Sequence, residues 1–146
     1  MDTEYIKDVL ENDIIRLGCK IWGLEFFGSR SNQTLRIYID KKEGISVEDC
    51  EKVSKHVSKV LDAENDFSEN YMLEVSSPGL DRKFFYKEQY QDYLKEPLRV
   101  TFFDNLNKKT VIGNLEEATD LSIKLNIKDE VKEIAFSSII KANLII

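Results

Sequence analysis

Histidine, cysteine and long apolar runs are scarce in this sequence, and each scarcity excludes a class of protein. The 146 residues include one histidine and two cysteines, Cys19 and Cys50, with no Cys-x-x-Cys spacing. This usage predicts two buried free thiols and a reducing compartment instead of a disulfide framework. No run of about 18 apolar residues occurs, and the first residues are acidic where a secretion signal would be basic. A soluble cytoplasmic protein is therefore expected.

The usual catalytic and ligand-binding motifs are also missing. There is no Gly-x-Ser-x-Gly elbow and no glycine-rich phosphate loop, and the single histidine, His56, lies in a predicted amphipathic helix away from any nucleophile pattern. Residues 62–66 imitate the first half of a calcium loop, but Phe67 and Leu73 occupy the positions that require glycine and glutamate. We therefore expect no enzyme activity, no cofactor and no metal.

Basic residues are too few in the first part of the chain to balance its acids. Residues 1–82 hold 11 Lys and Arg against 17 Asp and Glu, a net charge of −6, whereas residues 83–146 hold 10 of each. A sequence-independent RNA binder neutralises phosphates with a basic face. The acidic part is therefore predicted to bind a basic protein.

Hydrophobic periodicity predicts two helices and three strands in residues 1–82. The first helix is expected to be capped by Thr3 and to stop at Gly18, and the second to start at a capping box on Ser46 and end near Asp62. The strands are expected at 20–27, 35–40 and 71–76. The order α-β-β-α-β predicts a two-layer domain with both helices on one side of the sheet. Alternation puts Arg36, Tyr38, Asp40, Met72 and Glu74 on the other, open side.

The period changes to two in the last third of the chain. After a short helix at 86–94, apolar alternation predicts five β segments at 98–103, 110–117, 121–126, 131–136 and 139–145. Five short strands favour a small closed or partly closed barrel, because closure removes exposed edges. Gly113 is placed where a bent barrel strand needs a residue without a Cβ. The predicted organisation is an N-terminal domain at 1–82, a linker with a short helix at 83–97 and a barrel at 98–146.

A small barrel could instead bind RNA, with aromatic side chains for stacking and basic ones for phosphates. The candidates are Arg99, Phe102, Phe103, Lys108 and Lys109, the two lysines being expected at a loop tip. Alternation also turns Phe102 partly into the core, and two lysines are ordinary for a surface loop. The simpler interpretation is that Phe102 packs in the core and that the two lysines lie on an ordinary solvated surface.

The segment 71–82 has the most specific sequence in the chain. An alternating strand runs into Ser-Ser-Pro-Gly, which ends it, and then into Leu-Asp-Arg. Asp81 and Arg82 are expected to fix this turn and the junction between the domains. Together, Leu-Glu-Val-Ser-Ser-Pro-Gly-Leu-Asp-Arg resembles the signature of the ribosome maturation factor RimP family. The segments Leu-Arg-Ile-Tyr-Ile-Asp at 35–40, Gly-Ile-Ser-Val-Glu-Asp-Cys at 44–50 and Ile-Ile-Lys-Ala-Asn-Leu at 139–144 extend the resemblance along the chain.

This resemblance implies an α+β N-terminal domain and an Sm-like or SH3-like five-stranded barrel. It also implies a monomeric, non-enzymatic factor that binds the free small ribosomal subunit, assists its maturation and contacts a basic ribosomal protein near the decoding centre, with a contact to ribosomal RNA. An RNA-chaperone-like barrel protein is the alternative. The candidate partner-binding or interdomain residues are Arg36, Asp40, Glu74, Ser76, Ser77, Pro78, Gly79, Asp81, Arg82, Lys108 and Lys109.

Overall fold

The computed structural model describes residues 2–29, 31–64 and 71–146, and the chain divides into two compact units, Met1–Pro78 and Gly79–Ile146. Residues 65–70, half of the segment 62–73 that imitates a calcium loop, lie outside the described residues. Neither α-helix of the described part is long and apolar enough to cross a membrane.

Two α-helices form where the apolar spacing predicts them. Helix α1 spans Thr3–Arg16 and buries Ile6, Leu10 and Ile14, while α2 spans Val47–Ala63 and buries Val53, Val57 and Leu61. The cap of α1 is Asp2 and not Thr3, because the Asp2 carboxylate accepts the backbone N–H of Glu4 at 3.0 Å. After α1, Gly18 adopts a φ of 90°, which favours glycine at a helix end.

Helix α2 starts in the predicted capping box. The Ser46 hydroxyl accepts the Asp49 N–H at 3.1 Å, and the Asp49 carboxylate accepts the Ser46 N–H at 2.9 Å. The Lys41 ammonium lies 3.0 Å from the same carboxylate. The hydrogen bond from the Ser46 backbone and the contact with Lys41 lower the pKa of Asp49 to about 2.

Asp49 is therefore expected to make the free energy of unfolding depend on pH in the acid range. Because its folded pKa is lowered, its contribution is fully present above roughly pH 4 and is lost as the pH falls toward the folded pKa of about 2. Asp49→Asn should flatten the fall in unfolding free energy over that range, as measured by urea unfolding at several pH values. Glu48→Gln is the control, since Glu48 makes no ion pair among the described residues. Parallel acid curves for Asp49→Asn and the unaltered protein would contradict this assignment.

The first unit contains a three-stranded sheet covered on one side by both helices. Its strands are β1 (Lys20–Ser29), β2 (Asn32–Asp40) and β3 (Tyr71–Ser76), in the order β1-β2-β3. The β1–β2 pair is antiparallel, and the β2–β3 pair is parallel because α2 connects those strands. Leu35, Ile37 and Ile39 of the central strand are fully buried in one cluster with the helices. The predicted α-β-β-α-β arrangement is confirmed.

The second unit contains a five-stranded antiparallel sheet. Its strands are β4 (Pro97–Asp104), β5 (Asn107–Ala118), β6 (Ser122–Ile127), β7 (Glu130–Ala135) and β8 (Ile139–Leu144), in the order β7-β6-β5-β4-β8. The core consists of side chains from one face, including Leu98, Val100, Phe102, Leu115, Ile123, Leu125 and Ile134. The outer strands β7 and β8 are not hydrogen-bonded to each other in the described sheet.

Residues 83–97 are packed within the second unit. They include a 3₁₀ helix, Lys87–Tyr93, where the sequence predicts a short helix. The Phe84 N–H donates to the Ala142 carbonyl at 2.9 Å, and the Lys95 N–H donates to the Leu115 carbonyl at 2.6 Å. The buried rings of Phe84 and Tyr90 stack with their centres 4.4 Å apart. The two backbone hydrogen bonds attach this segment to β8 and β5, and the stacked rings pack within it.

Candidate functional site

The side of the first sheet that faces away from the helices carries the predicted pair Arg36 and Glu74. The register places them directly opposite each other on β2 and β3, and the Arg36 Nε donates to Glu74 Oε2 at 2.7 Å. We call the residues around this pair the open face, defined as Glu25, Phe27, Thr34, Arg36, Tyr38, Met72 and Glu74. Glu25 lies directly opposite Arg36 on β1. Asp40 follows on the same side of β2, at the end of the strand.

An aromatic ring and a phenol orient the Arg36 guanidinium. Its carbon lies 4.7 Å from the centre of the Phe27 ring, and its Nη1 donates to the Tyr38 hydroxyl at 3.4 Å. Burial raises the pKa of Tyr38, so the phenol stays protonated. Three side chains, those of Glu74, Tyr38 and Phe27, thus contact the guanidinium.

The side chains of the open face are accessible enough to contact another molecule. Phe27 is 40% exposed and Met72 is 58% exposed, while the Arg36 and Glu74 side chains are 32% and 41% exposed. An ion pair this accessible contributes about 0–1 kcal/mol to stability. An aromatic ring, a flexible thioether and an oriented arginine on a sheet are suited to contact with another protein. The alternation of Phe26 and Phe27 could have identified Phe27, which the sequence reading did not select.

The predicted Ser-Ser-Pro-Gly turn follows β3. Ser76 is the last residue of β3 and lies opposite Tyr38, and Ser77 and Pro78 end the first unit. Gly79 begins the second unit with a φ of 83°, a backbone conformation that favours glycine. The turn therefore carries the chain from one unit into the other.

Arg82 closes the part of this turn that lies in the second unit. Its Nε donates to the Gly79 carbonyl at 3.1 Å, and its Nη1 donates to the Tyr93 hydroxyl at 3.3 Å. Its backbone carbonyl accepts the Leu144 N–H at 3.0 Å. Asp81, in contrast, is exposed. Arg82 thus stabilises the turn and connects it to Tyr93. We call this the bracing role of Arg82. The contact with Tyr93 could not be predicted from the sequence, because the two residues are far apart along the chain.

Arg82→Ala is expected to lower the unfolding free energy by about 1–3 kcal/mol, because hydrogen bonds from a charged donor are lost. Arg82→Lys should recover only part of the loss, since an ammonium cannot reproduce the planar fork. Urea unfolding of the full chain measures both effects, with Asp81→Ala as the exposed neighbouring control. Equal stability of the alanine variant and the unaltered protein would refute the bracing role.

The two candidate lysines of the second unit do not lie at a loop tip. Both are in β5, and the hairpin loop consists of Asn105 and Leu106. Lys109 is paired with Asp104 at 2.8 Å, which lowers the pKa of that carboxyl. Lys108 points to the other side of the sheet, where it lies opposite Phe103. The structure therefore separates two residues that the sequence grouped.

The described residues contain no group of three or more His, Cys, Asp or Glu side chains arranged to hold a metal ion. His56 lies with its Nε2 3.2 Å from Asp13 Oδ2, which joins α2 to α1.

Comparison with known protein families places the first unit. The model described as the RimP N-terminal domain matches residues 9–81, half of the chain. The matched range contains α1 from Val9 onward, the whole three-stranded sheet, α2 and the turn as far as Asp81.

Proposed function

Because the chain belongs to the RimP family of ribosome maturation factors, we propose that it binds the free small ribosomal subunit and assists its maturation without catalysing a reaction. The observation that supports this role most directly is the match across the whole first sheet and the Ser-Ser-Pro-Gly-Leu-Asp segment. The protein acts in the cytoplasm as a monomer under this proposal.

The first unit is proposed to bind a basic ribosomal protein of the small subunit, near the decoding centre. Residues 1–82 carry a net charge of −6, and complementary charge accelerates association and selects partners. The open face supplies exposed apolar contacts from Phe27 and Met72 beside Arg36 and Glu74. Asp40 and the turn residues Ser76, Ser77 and Pro78 extend this proposed contact along one edge.

The second unit is proposed to close into a small Sm-like or SH3-like barrel. Chain length supports closure: β7 ends at Ala135 and β8 starts at Ile139, and this connection spans at most about 14 Å. The outer strands of a flat five-stranded sheet would lie about 19 Å apart. In addition, the Lys132 Nζ of β7 lies 5.4 Å from the centre of the Phe102 ring of β4, although these strands are not neighbours in the sheet.

The proposed function predicts a maturation defect in cells that lack the protein. Deletion should leave translation active but should raise precursor small-subunit RNA and lower the ratio of small to large subunits, most strongly in the cold. Sucrose-gradient profiles and RNA end mapping measure both quantities, and a plasmid copy of the gene is the control. Normal subunit ratios and fully processed RNA in the deletion strain would contradict the proposal.

Binding distinguishes this function from the alternative of a general RNA-chaperone-like protein. The full chain should co-sediment with free small subunits more strongly than with large subunits or with assembled ribosomes. It should also bind a basic small-subunit protein more tightly than naked ribosomal RNA. A preference for naked RNA that added salt abolishes would favour the alternative.

A further inference from the structure

The second unit has a solvent-facing side of its sheet that combines apolar and basic groups. Strand register places Arg99, Thr101 and Phe103 of β4 on the same side as Lys108, Thr110 and Ile112 of β5. The neighbouring β8 adds Lys141 opposite Thr101 and Asn143 opposite Arg99. We call these eight residues the outer face.

The apolar groups of the outer face are unusually accessible. Phe103 is 51% exposed and Ile112 is 54% exposed, whereas Phe102, the adjacent aromatic residue, is 3% exposed in the core. Between these two residues, the Thr101 and Thr110 hydroxyls lie 2.9 Å apart, and Thr101 itself is only 4% exposed. The exposed Phe103 ring therefore offers an apolar contact surface, next to the register shift between Thr101 and Phe102 in the β4–β8 pair.

The charges of the outer face are all positive. Arg99, Lys108 and Lys141 are exposed, and none forms an ion pair within the described residues. The eight residues include no carboxylate. Lys109, the remaining lysine of the hairpin, is paired with Asp104 on the other side of the sheet. Three exposed cations without a neighbouring carboxylate give this face a locally positive potential, although the unit has no net charge.

From this arrangement we propose that the outer face binds single-stranded RNA, with a base stacked on Phe103 and phosphates on Arg99, Lys108 and Lys141. Aromatic side chains beside cations bind single strands in this manner, because every base has a π face and every nucleotide carries a phosphate. An acidic protein would pair with the cations but would not need the ring. The inference rests on the proposed function for the source of the RNA.

Equilibrium binding of the full chain to a labelled oligouridylate of about eight nucleotides tests this proposal. An abasic oligomer with the same number of phosphates should bind about tenfold more weakly, since stacking contributes about 1–3 kcal/mol per base. Phe103→Leu, which keeps an apolar side chain, should weaken binding of the oligouridylate about tenfold and leave binding of the abasic oligomer unchanged. Leu106→Ala is the control, because Leu106 is 95% exposed in the adjacent hairpin loop.

Salt dependence tests the cations separately. Three phosphate contacts predict a loss of about 20-fold in affinity between roughly 50 and 200 mM salt. Combined Arg99→Gln, Lys108→Gln and Lys141→Gln substitutions should remove most of this dependence. Lys128→Gln, at an exposed position in the β6–β7 turn, should leave it almost intact.

Equal affinity for the oligouridylate and the abasic oligomer would overturn the stacking role of Phe103. If Lys128→Gln reduced the salt dependence of binding as much as the outer-face substitutions do, the phosphate site would be overturned. Tighter binding to vesicles of phosphatidylserine and phosphatidylcholine than to the oligouridylate would replace RNA with a membrane surface as the ligand. Co-sedimentation of the unaltered protein with small subunits is measured in parallel. Retained co-sedimentation without oligomer binding would refute this inference alone, and the reverse result would refute the proposed function alone.

Discussion

Replacing Gly113 by alanine is expected to lower the unfolding free energy by roughly 1–3 kcal/mol or more, the usual effect of forcing an extra group into a packed site. Gly113 is buried in β5, and a Cβ on it would lie 2.6 Å from the Asn126 carbonyl oxygen and 2.9 Å from the Ile127 Cγ1. Its φ lies outside the left-handed range, so the cause is steric and not conformational. Because the nearest atom belongs to the backbone of β6, β5 and β6 must separate to accommodate the methyl group.

Urea and thermal unfolding of the full chain measure this effect. Asn114→Ala is the matched control, because it alters an exposed residue at the next position of the same strand and should change stability by less than about 0.5 kcal/mol. A Gly113→Ala variant as stable as the control would show that β6 yields without cost. The close approach of the two strands would then not explain the glycine.

Disrupting the open face of the first unit is expected to weaken small-subunit binding at least tenfold with little change in stability. The first variant is Phe27→Ala, which removes an exposed ring of the kind that often dominates interface energy. The second exchanges the charges, Arg36→Glu with Glu74→Arg, which keeps the ion pair but reverses its direction. Since both partners are about one third or more exposed, stability should change by about 1 kcal/mol or less.

Co-sedimentation with free small subunits measures binding, and urea unfolding measures stability in the same preparations. Val47→Ala is the control for Phe27→Ala, because Val47 is a 77% exposed apolar residue on α2. The exchange Glu117→Lys with Lys124→Glu is the control for the charge reversal, as this pair is 3.0 Å apart and similarly exposed. Unchanged binding in both open-face variants would move the proposed partner contact elsewhere.

Local patterns predicted the first unit closely because each of its elements has a strong, short-range signal. The capping box on Ser46 and the apolar stripe of α2 coincide in sequence, so the start and buried side of this helix agree with the prediction. The cap of α1 was misplaced by one residue, since Asp2 and Thr3 are both good capping residues and only backbone geometry selects Asp2. The predicted β2 was shorter than the observed strand, because the polar residues from Asn32 to Thr34 continue the backbone pairing.

The candidate residues of the second unit show where sequence reasoning ends. Alternation along one strand correctly separates Phe102 from Phe103, because successive side chains point to opposite sides. It cannot show that Lys109 is paired with Asp104, that Lys141 lies beside Thr101, or that Arg82 reaches Tyr93. Each of these contacts depends on register or on packing between elements.

The amino-acid sequence by itself determined the family, the order of the elements, the concentration of acid in residues 1–82 and the alternation that creates an open face. These properties depend on residue type and on spacings of two to four residues, which hydrophobic periodicity and capping chemistry express directly. Only the tertiary structure decided which cations remain unpaired, which aromatic rings are exposed beside them and why Gly113 can have no Cβ. The physical reason is that these properties depend on distances between strands, and those distances are set only when the hydrophobic faces pack and the backbone hydrogen bonds fix the register.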